Sequence, residues 1–128
     1  MTITAVTAGV DMVDCGRIAR MLEEDVTFLE LVFTEAERAD CGRDADRLAA
    51  RWAAKEATMK ALGRGIGVVA PLEIEVRHGD RGAPVLVITG SAQTRAEELG
   101  VTQWSVSLSH EGGLAVAFVI AMQGGPGV

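Results

Sequence analysis

Residues 51 to 65 read "RWAAKEATMKALGRG", an alanine-rich run of strong helix formers interrupted by glycine only at its end. Followed outward, the helix begins near Asp44, whose side chain suits an N-cap, and stops at Leu62, with Gly63 as a left-handed cap. Leu48, Trp52, Met59 and Leu62 recur at helical spacing and mark one buried stripe. Six charges then need placing. Glu56 and Lys60, four apart, share a stripe with Ala49 and Ala53, whose small side chains would let another chain or a ligand approach. Arg43, Arg47, Arg51 and Lys55 form a second stripe of like charges, each neighbouring pair repelling by roughly 0.2–0.5 kcal/mol. Something negative should balance it. Asp40, Asp44, Asp46 and solvent are one answer, leaving Glu56 and Lys60 as a surface ion pair worth about 0.3–0.5 kcal/mol. The other is a bound phosphate, with Glu56 serving a metal.

Around this helix the chain alternates strands and shorter helices. In "TAVTAGVDMV" the residues Val6, Ala8, Val10 and Met12 follow the period-two pattern of a strand. Asp14 caps a short helix, "CGRIARMLEED", that puts Ile18, Met21 and Leu22 on one side and Arg17 and Arg20 on its flank. "FLELVF" is apolar and compatible with either element. Thr34 and Glu37 make a capping box that starts another helix. Past Gly63, "LEIEVRHG", the turn "DRGAP" and "PVLVITG" read as a hairpin, and "SAQTRAEELG" as a helix capped by Ser91 and closed by Gly100. "QWSVSLSH" and "LAVAFVIAM", joined by "EGG", form a second hairpin. Its last strand is apolar on both faces, as a central strand or one in a subunit interface would be. The tail "QGGPGV" is expected to fray. The order suggests an α+β fold, helices packed on a mostly antiparallel sheet.

Composition bounds the function. With 128 residues, 48% of them hydrophobic, the chain suits a single domain, residues 1–128, with a real core. A formal net charge of −6 argues against general nucleic-acid or anionic-membrane binding. Two cysteines, Cys15 and Cys41, fit no disulfide framework or metal-ligand spacing and read as free thiols in a reducing cytosol. No leader pattern opens the sequence and no apolar run reaches the roughly 18 residues of a membrane span. A cytoplasmic protein is expected.

Asp11 is the residue that folding alone explains poorly, because a carboxylate within "AGVDMV" is costly unless paired, hydrogen-bonded or bound to a cation. Together with Glu56, and with no His or Cys cluster, it suits Mg²⁺, which prefers hard oxygen ligands, keeps waters and takes further ligands from substrate phosphates.

At this point the motifs resemble a known family, the holo-acyl carrier protein synthases, the small bacterial members of the 4′-phosphopantetheinyl transferases. "GVDMVDCGRI" is similar to the family's opening G-[IV]-D-[ILM]-[VT]-x-x-x-R-[IF], and "RWAAKEATMKALGRGI" to its signature F/W-A-x-K-E-A-x-x-K-A-x-G-x-G-[IF]. "DRGAPVLVITGSA" and "VSLSHEGGLAVAFVI" resemble its G-x-P turn and S-[IL]-[ST]-H strand end. Four motifs in the family's order cover nearly the whole chain.

The resemblance implies transfer of the phosphopantetheine arm of coenzyme A to a serine hydroxyl of an apo-acyl carrier protein, releasing 3′,5′-ADP, as in fatty acid biosynthesis. It implies the family's fold, a homotrimer and sites at subunit boundaries. Asp11 and Glu56 match its magnesium ligands, with Mn²⁺ as the alternative ion. Glu56 is also its candidate general base, directly or through a metal-bound water. Lys60 would face the phosphates as a point charge. Arg51, Lys60, Gly63, Pro84 and His110 match positions around the coenzyme. Val13 stands where larger two-lobed transferases carry a third acid, so water is expected there. His110 could instead bond the turn backbone, and His78 reads as a partly buried ring. Arg17, Arg20 and Met21 match the docking helix for the acidic carrier protein. Thr7 replaces a glycine common in relatives, and neither cysteine matches a family motif. A transferase dedicated to a polyketide or peptide synthase carrier, and a non-catalytic module that binds coenzyme A or a carrier protein, are the other readings. The module would have no reason to keep both Asp11 and Glu56.

Overall fold

The computed structural model describes residues 2–63 and 68–125, with Asp80 and Gly125 described by backbone alone. Strand β1 (Thr2–Asp14) leads into helices α1 (Cys15–Glu24), α2 (Phe28–Val32), α3 (Glu35–Cys41) and the long α4 (Ala45–Leu62). Strands β2 (Ile74–His78) and β3 (Pro84–Ile88), helix α5 (Gly90–Leu99), and strands β4 (Val101–Glu111) and β5 (Leu114–Gly125) follow. β1, β5 and β4 form an antiparallel sheet with β5 in the middle, while β2 and β3 pair separately. The doubly apolar last strand is central, as its composition led one to expect.

The ends of α4 follow their local chemistry. The Asp44 side chain accepts from the Asp46 and Arg47 N–H groups, and Gly63 closes the helix at φ +68°. Asp14 caps α1, and Thr34 with Glu37 forms the expected capping box on α3. The "FLELVF" segment is helical over Phe28–Val32. Three other expectations change. "LEIEVRHG" opens with a 3-10 turn at Pro71–Glu73, so β2 starts only at Ile74. Ser91 does not cap α5: its hydroxyl donates to Glu73, whose carboxylate also accepts the Ala92 N–H, so the cap is borrowed from the 3-10 turn. Gln123 and Gly124, expected to fray, still pair with β1, and 126–128 lie outside the described residues.

One sheet face is built to meet a helix. Ala115, Ala117, Val119 and Ala121 of β5 are fully buried on the side that carries Gly9, Asp11 and Val13 of β1. Ala49, Ala53 and Ala57 of α4 are equally buried, so the small residues expected to admit another chain or a ligand are covered by this chain itself. The approach is close at Gly9, where a β-carbon would overlap the Ala57 carbonyl oxygen. Thr7, in the glycine-like position of the opening motif, donates its hydroxyl to the Ala61 carbonyl at 2.9 Å. Around this seam Ile18, Leu48 and Leu62 are sealed from solvent, each contributing about 1.5–3 kcal/mol.

α4 is a central helix rather than one with a single buried stripe. Between Leu48 and Leu62 only Trp52, Glu56 and Lys60 escape full burial, and they recur every fourth residue. Trp52, expected in the core, is therefore on the one open strip, its ring packed against Phe28 at 6.0 Å. The opposite sheet face is uncovered in this chain: Val6, Val10, Met12 and Phe118 remain 45–61% exposed there, beside Ser105, Ser107 and Ser109.

Candidate active site

The β1–α4 seam brings residues far apart in the chain into one cluster. Lys60, at the end of the open strip, donates from Nζ to the Val10 carbonyl at 2.9 Å and to Asp11 Oδ1 at 3.1 Å. Asp11 is mostly sheltered, with 18% of its side chain exposed. Glu56, one turn before Lys60, is half-buried. Burial first, then the negative charge of Asp11, raises its carboxyl above the ordinary Glu value, while Lys60 and Arg17 pull it down. Two carboxylates, a lysine and the Arg17 guanidinium of α1 thus share one field.

This donor set fits a hard divalent ion. Asp11 and Glu56 offer only oxygens, and among the described residues no group of three or more His, Cys, Asp or Glu is placed to hold a metal. An ion held by the two acids would take its remaining ligands from water and phosphate, the habit of Mg²⁺. Charge compensation also favours it, since Lys60 and Asp11 pair while Glu56 is left with a disfavoured negative charge.

Residues 7–119 match the family model of the 4′-phosphopantetheinyl transferase superfamily. The chain belongs to that superfamily. It is 49% identical to the holo-[acyl-carrier-protein] synthase of Herpetosiphon aurantiacus, over 89% of this chain and 96% of that one. Among solved structures it resembles an ACPS–CoA complex from Chronobacterium ammoniagenes, with TM-score 0.84 and 30% identity over 94% and 99% of the two chains. A Bacillus anthracis holo-(acyl-carrier-protein) synthase in complex with CoA (3′,5′-ADP) matches with TM-score 0.77 and 35% identity over 94% of this chain and all of that one. The α+β fold and the phosphopantetheinyl transferase class anticipated from the motifs both hold.

The other candidate residues are distributed around this cluster. His110 is exposed and lies on the same sheet face as Asp11: it pairs with Ala115, which in turn pairs with Val13. Pro84 opens β3 opposite His78. Gly63 ends α4, and the rest of the "GRGI" segment, residues 64–67, lies outside the described residues. Arg17 and Arg20 are exposed on α1 with Met21 partly buried between them and the core. Among the described residues no hydrogen bond joins His110, Pro84 or Arg51 to Asp11, Glu56 or Lys60.

The basic stripe that runs from Arg43 into α4 finds its partners inside the chain. Arg43 donates to the Leu22 carbonyl at 2.9 Å, and Arg47 to the Asp40 carbonyl at 3.1 Å. Arg51, only 4% exposed, pairs with Asp40 and lies 3.0 Å from His78 Nε2. Its Nε is the one buried side-chain polar atom without a partner among the described residues. Lys55 is fully buried and donates to Glu37 at 2.7 Å, to Pro71 O at 3.0 Å and to Ile74 O. Desolvation lowers the Lys55 pKa, with Glu37 opposing. Glu37 also accepts the Val76 N–H at 3.0 Å, so this pair joins α3, α4 and β2. Its structural role escaped the sequence reading because a lysine at helical spacing among arginines looks solvated. Glu37 had already been used by the capping box.

Proposed function

We propose that the chain transfers the phosphopantetheine arm of coenzyme A to a serine of an apo-acyl carrier protein with Mg²⁺, or Mn²⁺, held by Asp11 and Glu56. The single observation that carries this reading is the meeting of Asp11, Glu56 and Lys60 across the β1–α4 seam. Bound there, the ion would offset charge on the diphosphate oxygens of the coenzyme. The residues of the chain do the rest. Lys60, whose ammonium already leans over Asp11, turns a cation toward the phosphates. Glu56 takes the proton of the serine hydroxyl, directly or through a water, as the new O–P bond forms. The bond from phosphorus to the nucleotide breaks, and 3′,5′-ADP leaves with the electron pair.

Gly63, Arg51, Pro84 and His110 then surround the coenzyme, and the exposed Arg17 and Arg20 with Met21 receive the acidic carrier protein. The uncovered apolar face of β1 and β5 supports a homotrimer, since apolar surface of this kind on one sheet calls for a partner. A cytoplasmic place in fatty acid biosynthesis completes the reading. Among the described residues no helix is long and apolar enough to cross a membrane.

The test is mass spectrometry of several apo-carrier proteins incubated with the protein, coenzyme A and Mg²⁺. A carrier that gains the phosphopantetheine mass supports the reading. If none gains it, the chain binds without transferring.

A further inference from the structure

His78 takes no part in the chemistry above, yet it touches two of its supports. It ends β2 and stands opposite Pro84, the first residue of β3. Its Nδ1 lies 3.1 Å from the Gly82 carbonyl within the turn, and its Nε2 lies 3.0 Å from Arg51 Nη2 and 2.9 Å from Asp40 Oδ2. A carbonyl only accepts, so Nδ1 carries a proton in that contact. Nε2 meets the Arg51–Asp40 ion pair, where it either accepts an N–H of Arg51 or, with a proton of its own, donates to the Asp40 carboxylate. One side chain thus holds the Arg51–Asp40 pair with one nitrogen and the turn before Pro84 with the other. Arg81 in that turn adopts φ +63°, a conformation non-glycine residues rarely hold without outside support.

We propose that His78 is a positioning residue for the coenzyme: it fixes Arg51 and the Gly82–Pro84 turn in register with each other. The assignment rests on the proposed function, in which Arg51 and Pro84 border the coenzyme. Asp40 completes the triad, its Oδ2 meeting both Arg51 Nη2 and His78 Nε2, while the turn is left to His78. His78 is half exposed at the end of a two-stranded hairpin, away from the main core, so its replacement leaves the β1–α4 seam and the Asp11 cluster in place.

The experiment compares His78→Ala, His78→Asn and His78→Gln with the unmodified protein. It measures KM for coenzyme A, KM for the carrier protein, kcat, and melting temperature. His78→Ala should raise the coenzyme KM roughly tenfold, the effect of losing a hydrogen bond to a charged group. The carrier KM and kcat should change less than about twofold by the same reckoning. Asparagine can keep the donation to Gly82 and glutamine the acceptor for Arg51, so each should recover part of the loss. An unchanged coenzyme KM in His78→Ala overturns the assignment. So does a parallel rise of both KM values with a fall in melting temperature, which marks a merely structural role. If the unmodified protein transfers nothing, the proposed function fails first, and the positioning role with it.

Discussion

Lys60 Nζ lies 3.1 Å from Asp11 Oδ1 although 49 positions separate the two residues, and this contact joins β1 to α4 one turn from Glu56. The chain therefore answers a strand carboxylate with a helix ammonium and leaves the second carboxylate of the cluster only partly compensated, by Lys60 and Arg17. Replacing Asp11 by asparagine should remove the charge that Lys60 pairs with. It should also let the Glu56 carboxyl fall back toward its ordinary value. Loss of phosphopantetheine transfer by about a hundredfold or more in kcat is expected, the size typical of removing a charge-stabilising group. Steady-state kinetics on the variant, with a proton titration of Glu56 by NMR, checks both parts.

The Glu56 shift also has a consequence for stability. Its folded pKa is raised, so the native state holds this proton more tightly than the unfolded chain does. The associated stability is fully present below the unfolded pKa and is lost as pH rises through the folded value. Urea unfolding across the carboxylate range, without divalent ions, should show a smaller loss with rising pH in Glu56→Gln than in the unmodified protein. Identical slopes would show that the group is not held in an unfavourable charged state.

The closeness of β1 and α4 is itself testable at Gly9. A β-carbon there meets the Ala57 carbonyl oxygen, backbone against backbone, with no flexible side chain to yield. Gly9→Ala should destabilise the fold by about 3 kcal/mol, at the upper end of ordinary overpacking, and should lower transfer by moving Asp11 relative to Glu56. Denaturant melts at fixed protein concentration measure the first effect and initial rates the second.

The buried Lys55–Glu37 pair predicts a different pattern. Lys55→Met leaves the Glu37 carboxylate buried without its cation and should cost roughly 3–5 kcal/mol. Adding Glu37→Gln removes the stranded charge while keeping an acceptor for the Val76 N–H, so the double variant should be more stable than Lys55→Met alone. Equal stabilities would mean that the lost lysine packing, rather than the stranded charge, sets the cost.

The open sheet face gives a prediction about assembly. Phe118→Glu puts a charge in the middle of the uncovered apolar face formed by β1 and β5. Light scattering should report a smaller species than for the unmodified protein, with the circular dichroism of the folded chain retained. An unchanged mass would remove this face from the proposed trimer contact.

Much of this architecture can be seen in the residues alone because its signals are local. Asp44 and Gly63 delimit α4, Thr34 and Glu37 start α3, and a strand apolar on both faces belongs in the middle of its sheet. What escapes is whatever depends on a distant neighbour. Ala49 and Ala53 look like an open groove until the fold seals both from solvent. Lys55 reads as one of a row of surface cations until Glu37, Pro71 and Ile74 surround it. Ser91 has the composition of a cap, but the Glu73 carboxylate arrives from the preceding turn and takes the work. Asp11 stands out in the sequence because a strand carboxylate among apolar residues demands a partner, and the fold sets the Lys60 ammonium against it.

Binding of Mn²⁺, followed by electron paramagnetic resonance of the free ion with coenzyme A present, tests the central claim most directly. Asp11→Asn and Glu56→Gln should each remove nearly all of the protein-dependent binding, and the double variant should lose no more than either alone. Losses that instead add, each variant keeping a separate share of the affinity, would contradict a single ion held by both carboxylates.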